Sequence, residues 1–359
     1  MQKKVFIHCE ITKREFDAKV LLSATAALEG FEIYLGNILG LRLTQIPSYS
    51  IFHHKDCTPG ELNLNLFKNL KKNKIYITCQ DEEGGIEEKK NFFSKPPVGF
   101  FYYRFGKKSI KLVDAIFTWS NYDYKNLIKR FKNYKQKIFR TGNPRADLWS
   151  RKFENFYNLD NKKKYILVNS HTGGISLNKS FNEILETTKN AYYLNDNPGF
   201  DKFKKLWFEE YSNRTKYFYK LSSSLIKLAN KFPKQQIIFR PHPMESLEKW
   251  KYIFKDCSNM IVSKENTSTY WMHRAKVLIQ NGCYTSIEAA NLGVDIITFV
   301  PPEIKKHVKT FTGSLGMKCK TDNELFSTVN KFLKNENKLE YVKIKKKNFK
   351  LVNERFDFP

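Results

Sequence analysis

A chain of 359 residues is longer than one hydrophobic core usually supports, so two domains are expected, and 41% hydrophobic residues suffice to pack both. The formal charge of +27 favours acidic partners such as nucleotides, nucleic acid or an anionic membrane face, although a composition rich in Lys, Asn, Ile and Tyr is also what AT-rich coding produces. No apolar run approaches the ~18 residues of a membrane span, and the six cysteines (Cys9, Cys57, Cys79, Cys257, Cys283, Cys319) lack the paired spacing of a zinc or redox-dithiol site.

The N-terminus runs straight into Val5–Cys9, too short for a signal-peptide core and better read as a first strand. These features predict a cytoplasmic protein with reduced thiols, whose basic surface could dock peripherally on the inner face of an anionic membrane. Thr12 to Leu28 then has helical spacing (Phe16, Val20, Leu21, Ala24, Leu28), stopped by Gly30, and Phe31–Leu35 is a second strand. The alternation continues through a strand at Tyr49–Phe52, a helix over Leu62–Leu70 and a strand at Lys74–Thr78. After an irregular stretch come a strand at Ala115–Trp119, a basic helix over Tyr122–Phe131 and a strand at Lys137–Arg140. Such alternation predicts a mostly parallel sheet covered on both faces.

Thr141–Arg145 closes this half, and the polar segment Ser150 to Lys163 reads as the passage to a second domain. The alternation restarts with a strand at Tyr165–Val168, ending in the glycine-bearing loop Asn169-Ser170-His171-Thr172-Gly173-Gly174. An irregular aromatic insertion between Tyr192 and Trp207 precedes a helix from about Ser212 to Phe232. Strands follow at Ile237, Met260–Val262, Val277–Ile279 and Ile296–Val300, separated by helices at Leu247–Phe254, Tyr270–Arg274 and from Ser286. The tail from Asn323 to Asn335 is helical. The expected organisation is an N-terminal Rossmann-like domain over 1–150, a C-terminal Rossmann-like domain over 160–325, and a helical tail over 326–359.

Chemistry is expected at strand carboxyl ends, where open α/β sheets bind ligands. The strand at Ile237 breaks into Phe239-Arg240-Pro241-His242-Pro243-Met244-Glu245, and the two prolines frame His242 beside Arg240 in a way that suits a bound phosphate. Asn281-Gly282-Cys283-Tyr284-Thr285-Ser286-Ile287-Glu288 is a strand, glycine turn and helix start, a layout that offers free backbone N–H groups to an anion. Thr285 or Ser286 could cap that helix and donate to a phosphate, while Glu288 could accept from a ribose or base; the plain alternative is an ordinary N-cap. Both loops are expected to leave neighbouring strands, together with Ser170, His171 and Thr172.

In the first half, Asp81-Glu82-Glu83-Gly84-Gly85 sets three carboxylates at a strand end, where mutual repulsion should raise at least one pKa and make a candidate general base. Glu10, Lys13 and Arg14, His53, His54 and Lys55, and Asn143 and Arg145 are weaker candidates for the acceptor side or the cleft. His8, His273 and His307 read as structural. No cluster of His and carboxylates appears at metal-ligand spacing, so no metal or other cofactor is expected.

With these residues in hand, the chain resembles bacterial surface-carbohydrate biosynthesis proteins. The resemblance runs from Glu10-Ile11-Thr12-Lys13-Arg14-Glu15 through Asp81–Gly85, Thr141–Arg145 and Arg240–Pro243 to Asn281–Ala289. Glu82-Glu83-Gly84, His242-Pro243 and Thr285/Ser286 look like the three short signatures shared by bacterial sialyltransferases and Kdo transferases of the GT-B fold: an acidic pair before glycine, a His-Pro and a hydroxyl pair. The resemblance implies two Rossmann-like α/β domains facing a central cleft. It also implies an inverting, metal-independent transferase that moves an acidic sugar of the sialic, legionaminic, pseudaminic or Kdo kind from a CMP-activated donor to a glycan or lipid-linked glycan acceptor. Glu82 or Glu83 would then deprotonate the acceptor, and His242 with the Thr285/Ser286 helix end would stabilise the departing phosphate. The extra acid, Asp81, leaves the identity of the base open. Alternatives on the same fold are a nucleotide-sugar 2-epimerase or a CDP-polyol phosphotransferase. A nucleic-acid-binding protein is a distant third, suggested by charge alone and supported by no motif, so no nucleic-acid partner is expected.

Overall fold

The computed structural model describes residues 3–85, 104–157, 164–176, 180–191, 200–302, 311–334 and 338–356. The chain divides into two compact units, Met1–Leu148 with Asn353–Pro359, and Trp149–Val352.

The first unit holds strands β1 (Lys4–His8), β2 (Glu32–Gly36), β3 (Ile51–His54), β4 (Tyr76–Gln80), β5 (Ala115–Thr118) and β6 (Ile138–Arg140). They form one parallel sheet in the order β2-β1-β3-β4-β5-β6. Apolar side chains of these strands and of the helix Glu61–Lys72 pack into a core around Phe52, Phe67, Ile77, Ile110 and Ile116, all fully buried. Each such side chain contributes about 1.5–3 kcal/mol relative to exposure.

The second unit repeats the plan with β7 (Tyr165–Asn169), β8 (Ile237–Arg240), β9 (Met260–Val262), β10 (Ala275–Gln280), β11 (Asp295–Phe299) and β12 (Met317–Cys319), parallel in the order β12-β11-β10-β7-β8-β9. β7 is buried along its whole length, as its unbroken apolar run requires of a central strand covered on both faces. Ile166, Leu225, Phe239, Trp250 and Phe299 are fully buried at the centre of this core. Each sheet reverses its winding once, between β1 and β3 in the first unit and between β7 and β10 in the second. At such a point the connecting helices leave to opposite faces and open a crevice at the strand carboxyl ends.

Several elements differ from expectation. The helix expected from Ser212 begins at Phe200 and runs to Lys231, so the second part of the presumed irregular insertion is helical; 192–199 and His307 lie outside the described residues. The short β12 and the helices Lys107–Leu112 and Pro144–Leu148 carry too little periodicity to stand out. The helix Lys338–Asn353 follows the tail helix Asp322–Lys334, and within the first unit the ring of Phe356 meets Trp119 edge-on at 5.9 Å. Among the described residues no helix is long and apolar enough to cross a membrane.

Candidate functional site

In the second unit, β7 lies between β8 and β10, so the His242 and Asn281 loops do not leave neighbouring strands as expected. Asn169, at the end of β7, is level with Arg240 on β8, and Val168 pairs with Ile279 on β10. The three carboxyl ends therefore stand side by side at the winding reversal, with residues 169–172 in the middle.

Glu245 ties two of these loops together. Its buried carboxylate accepts from Ser170 Oγ at 2.5 Å, Thr172 N and Oγ1 at 2.7 Å each, and Trp250 Nε1 at 2.9 Å. Burial pushes its pKa up against the pull of these donors. Ser170 and Thr172, expected to touch a ligand, are 2% and 0% exposed and spend their hydroxyls on this carboxylate instead. His171 is half-buried, with its ring centroid 5.4 Å from that of His242.

His242 sits in a stiff frame. Its backbone N donates to Ser170 Oγ at 3.2 Å, and Met244 N donates to its Nδ1 at 3.3 Å. A ring whose Nδ1 accepts an N–H carries its proton, when neutral, on Nε2. Pro243 is exposed. Arg240 donates from Nη2 to Asn266 O at 2.7 Å, and its buried Nε has no partner among the described residues. Burial lowers Arg240 to about 10 although Glu288 opposes the shift, so it remains a cation at neutral pH.

Asn281 Nδ2 donates to His171 O at 3.1 Å and Asn169 Nδ2 to Thr285 Oγ1 at 2.9 Å, leaving the buried Oδ1 of each without a partner among the described residues. A buried acceptor in that state costs about 1–3 kcal/mol. A bound molecule carrying hydrogen-bond donors would recover that cost.

The glycine turn corrects the sequence reading. Gly282 takes φ +99°, which suits glycine, but Gln280 Oε1 accepts both its N–H and that of Cys283 (2.8 Å). These amides are spent and offer no anion nest. The helix Thr285–Asn291 is capped by Tyr284 with no side-chain cap, so neither hydroxyl acts as N-cap. Ser286 is fully buried, its hydroxyl facing Cys283 O (2.9 Å) and Thr312 O (3.2 Å), whereas Thr285 stays partly exposed. Glu288 is 1% exposed and accepts from Thr269 Oγ1 at 3.3 Å, a structural bond in place of the ribose or base contact expected of it. Burial pushes the Cys283 thiol up, so it is neutral at pH 7.

In the first unit the turn after β4 is built from ion pairs. Arg104 Nε and Nη2 donate to Asp81 Oδ2 and Oδ1, both at 2.8 Å. Glu82 Oε1 lies 2.8 Å from Lys19 Nζ, and Arg145 Nη1 donates to the Glu82 carbonyl at 2.9 Å. Burial pushes Asp81 up to about 6 although Arg104 pulls the other way. Burial would also raise Glu82, but Lys19, Arg145 and Arg14 outweigh it and hold it below the ordinary glutamate range. Asp81 thus rises, as expected of at least one of the three, but chiefly through burial, and Asp81 and Glu82 are each matched to a buried or part-buried cation. Glu83 is the acid of the three that is partly exposed.

The weaker candidates divide. Lys13 is exposed, and Arg14 donates from Nη2 to Glu15 Oε1 at 2.6 Å. Lys55 pairs with Asp56 (2.7 Å) and Glu10 (3.0 Å) at the winding reversal. His54, expected to reach an acceptor, is 1% exposed, its ring tilted against that of His8 at 4.9 Å and edge-on to Phe67. Asn143 and Arg145 are also buried, Asn143 Oδ1 accepting from Arg145 N at 2.8 Å, so they build the turn rather than face solvent. Sequence reasoning named Asn169 only as part of the loop after β7, and it missed Lys19, Arg104 and Gln280. The available signal was Glu15 and Lys19, two charges on the face of the first helix that also carries Ala18.

No protein-family model and no curated protein matches the chain. Solved structures do. A putative UDP-N-acetylglucosamine 2-epimerase from Listeria monocytogenes superposes with TM-score 0.50 at 13% identity, covering 98% of this chain and 94% of its own. The UDP-GlcNAc 2-epimerase from Neisseria meningitidis, bound to UDP-GlcNAc, gives 0.50 at 12% identity over 98% and 94%. A variant of the wall teichoic acid polymerase TagF gives 0.55 at 12% identity over 98% of this chain and 83% of its own. At such identities the likeness is one of fold: the chain is an α/β protein of two Rossmann-like domains of the GT-B kind.

Proposed function

We propose that the chain is an inverting, metal-independent glycosyltransferase that moves an acidic nonulosonic-type sugar from a CMP-activated donor to a glycan or lipid-linked glycan acceptor. The observation that carries this reading is His242, held with Nδ1 accepting from Met244 N and hence, when neutral, Nε2 protonated, next in sequence but one to the part-buried cation Arg240. A departing phosphate needs a donor and a positive charge in place before the bond breaks. Because Gln280 occupies the Gly282 and Cys283 amides, side chains must supply them, and that small set suits one phosphate better than two. The unpaired amide oxygens of Asn169 and Asn281 suit hydroxyl or amino donors of the nucleoside or sugar. A carboxylate of the turn 81–83 takes the acceptor proton.

A nucleotide-sugar 2-epimerase or a CDP-polyol phosphotransferase uses the same fold and differs in what it releases. The test supplies CMP-activated, UDP-activated and CDP-activated donors with an acceptor mixture and follows the nucleotide set free and the anomeric configuration of the product. Release of CMP with inversion supports the reading. Retention of configuration, or turnover of UDP-sugar or CDP-polyol alone, removes it.

A further inference from the structure

The sequence offers three equivalent acids at positions 81–83, and the turn that holds them separates them. Asp81 gives both carboxylate oxygens to Arg104 and also accepts Glu83 N at 2.8 Å, while its carbonyl accepts Trp119 Nε1 at 2.6 Å. Glu82 is pinned through its side chain by Lys19 and through its carbonyl by Arg145. Gly85 N donates to both carboxylate oxygens of Asp123 at 3.0 Å. Gly84 lies so close to Trp119 that a Cβ there would come within 2.1 Å of the indole. Among the described residues the Glu83 side chain is the exception: it is partly exposed and makes no hydrogen bond or ion pair.

We propose that Glu83 is the catalytic base and that Glu82 is a positioning residue, held by its buried ion pair with Lys19. The argument rests on the transferase reading above and on what protonation does to each acid. A base must accept a proton during the reaction. If Glu82 did so, Lys19, whose side chain is 6% exposed, would lose the carboxylate that compensates its buried charge. Protonating Asp81 would break its two-oxygen ion pair with Arg104. Protonating Glu83 breaks no side-chain hydrogen bond or ion pair among the described residues, and removes only its longer-range attraction to Arg104 and Arg14.

A second feature lies on the strand beside β4. His53 on β3 shares a bond of 2.9 Å with Thr78 of β4, the strand that leads into the turn, and its other ring nitrogen, Nε2, is buried without a partner. His53 itself is 4% exposed. A hydroxyl-bearing acceptor would satisfy it. In the step assigned here the acceptor O–H bond breaks and its proton passes to a Glu83 carboxylate oxygen. The freed electron pair forms the bond to the anomeric carbon, and the bond from that carbon to the phosphate oxygen breaks, its pair leaving on CMP.

The test compares Glu83→Gln, Glu83→Asp, Glu82→Gln and the double variant Lys19→Met/Glu82→Leu for nucleotide release and melting temperature. Glu83→Gln should lower kcat ~100-fold or more while keeping the melting temperature and the nucleotide-induced shift of the wild type; Glu83→Asp should recover part of the loss. Glu82→Gln should lower the melting temperature because it strands Lys19. The double variant, which replaces a buried ion pair by apolar groups, should restore the melting temperature and lose less kcat than Glu83→Gln. A folded but inactive double variant, or an active Glu83→Gln, overturns the proposal. A wild type that releases UDP or CDP instead of CMP sinks the donor assignment alone, and the Glu82 and Glu83 comparison is then read on that donor.

Discussion

The Ser170 hydroxyl and the Glu245 carboxylate meet at 2.5 Å, both residues at most 2% exposed, and this contact joins the loop after β7 to the loop that carries His242. Glu245→Ala removes the acceptor for four donors on three residues. Leaving buried donors unmade costs about 1–3 kcal/mol each, so the variant should lose ~3 kcal/mol or more. Urea unfolding with an unchanged slope m checks it, and the same variant should weaken nucleotide-induced stabilisation because His242 loses its frame.

The buried histidines of the first unit set the response to acid. Burial holds His8 at about 3 and lowers His53 and His54 as well. As pH falls through the ordinary histidine value near 6.5, the unfolded chain takes up protons and the native chain does not, so stability falls. The loss is about 1.4 kcal/mol per pH unit for each histidine that behaves this way. For His8 it runs from about 6.5 down to about 3. His8→Gln should make the urea midpoint less pH-dependent between pH 7.5 and 5.5; an unchanged dependence would contradict the assignment.

Gly84 allows the acidic turn to close against Trp119. Gly84→Ala places a methyl 2.1 Å from the indole, so the turn or the ring must move. The expected cost is about 1–3 kcal/mol in stability, together with lost turnover as the 81–83 carboxylates shift. Gly142→Ala is the control for the glycine effect alone: it too has positive φ (+80°), but nothing lies within 4 Å of its Cβ position. It should cost backbone strain without loss of turnover.

Much of this architecture was readable from local signals. The helix Thr12–Leu28 has the expected ends, because its apolar spacing is regular and Gly30, at φ +85°, terminates it. Apolar runs such as Tyr165–Val168 and Ile237–Phe239 announce buried strands, and the prolines around His242 and the glycines after Glu83 mark rigid loops at their ends. What local pattern does not encode is strand order and partner choice. That β7 separates β8 from β10 follows from how the sheet is wound, and it moved the centre of the site to residues 169–172. The pairing of Lys19 with Glu82 joins residues on a helix and a distant strand end, and Gln280 silences the Gly282 amides through its own side chain. β12, three residues long, offers too short a pattern to read.

The central claim is tested most directly by thermal stabilisation with CMP, CDP, UMP, UDP and AMP at equal concentration and without metal, since a ligand that prefers the native state raises its melting point. The account predicts that CMP gives the largest shift and that His242→Ala abolishes it while leaving the unliganded melting point in place. A shift with UDP alone, or no shift with any nucleotide, would contradict it.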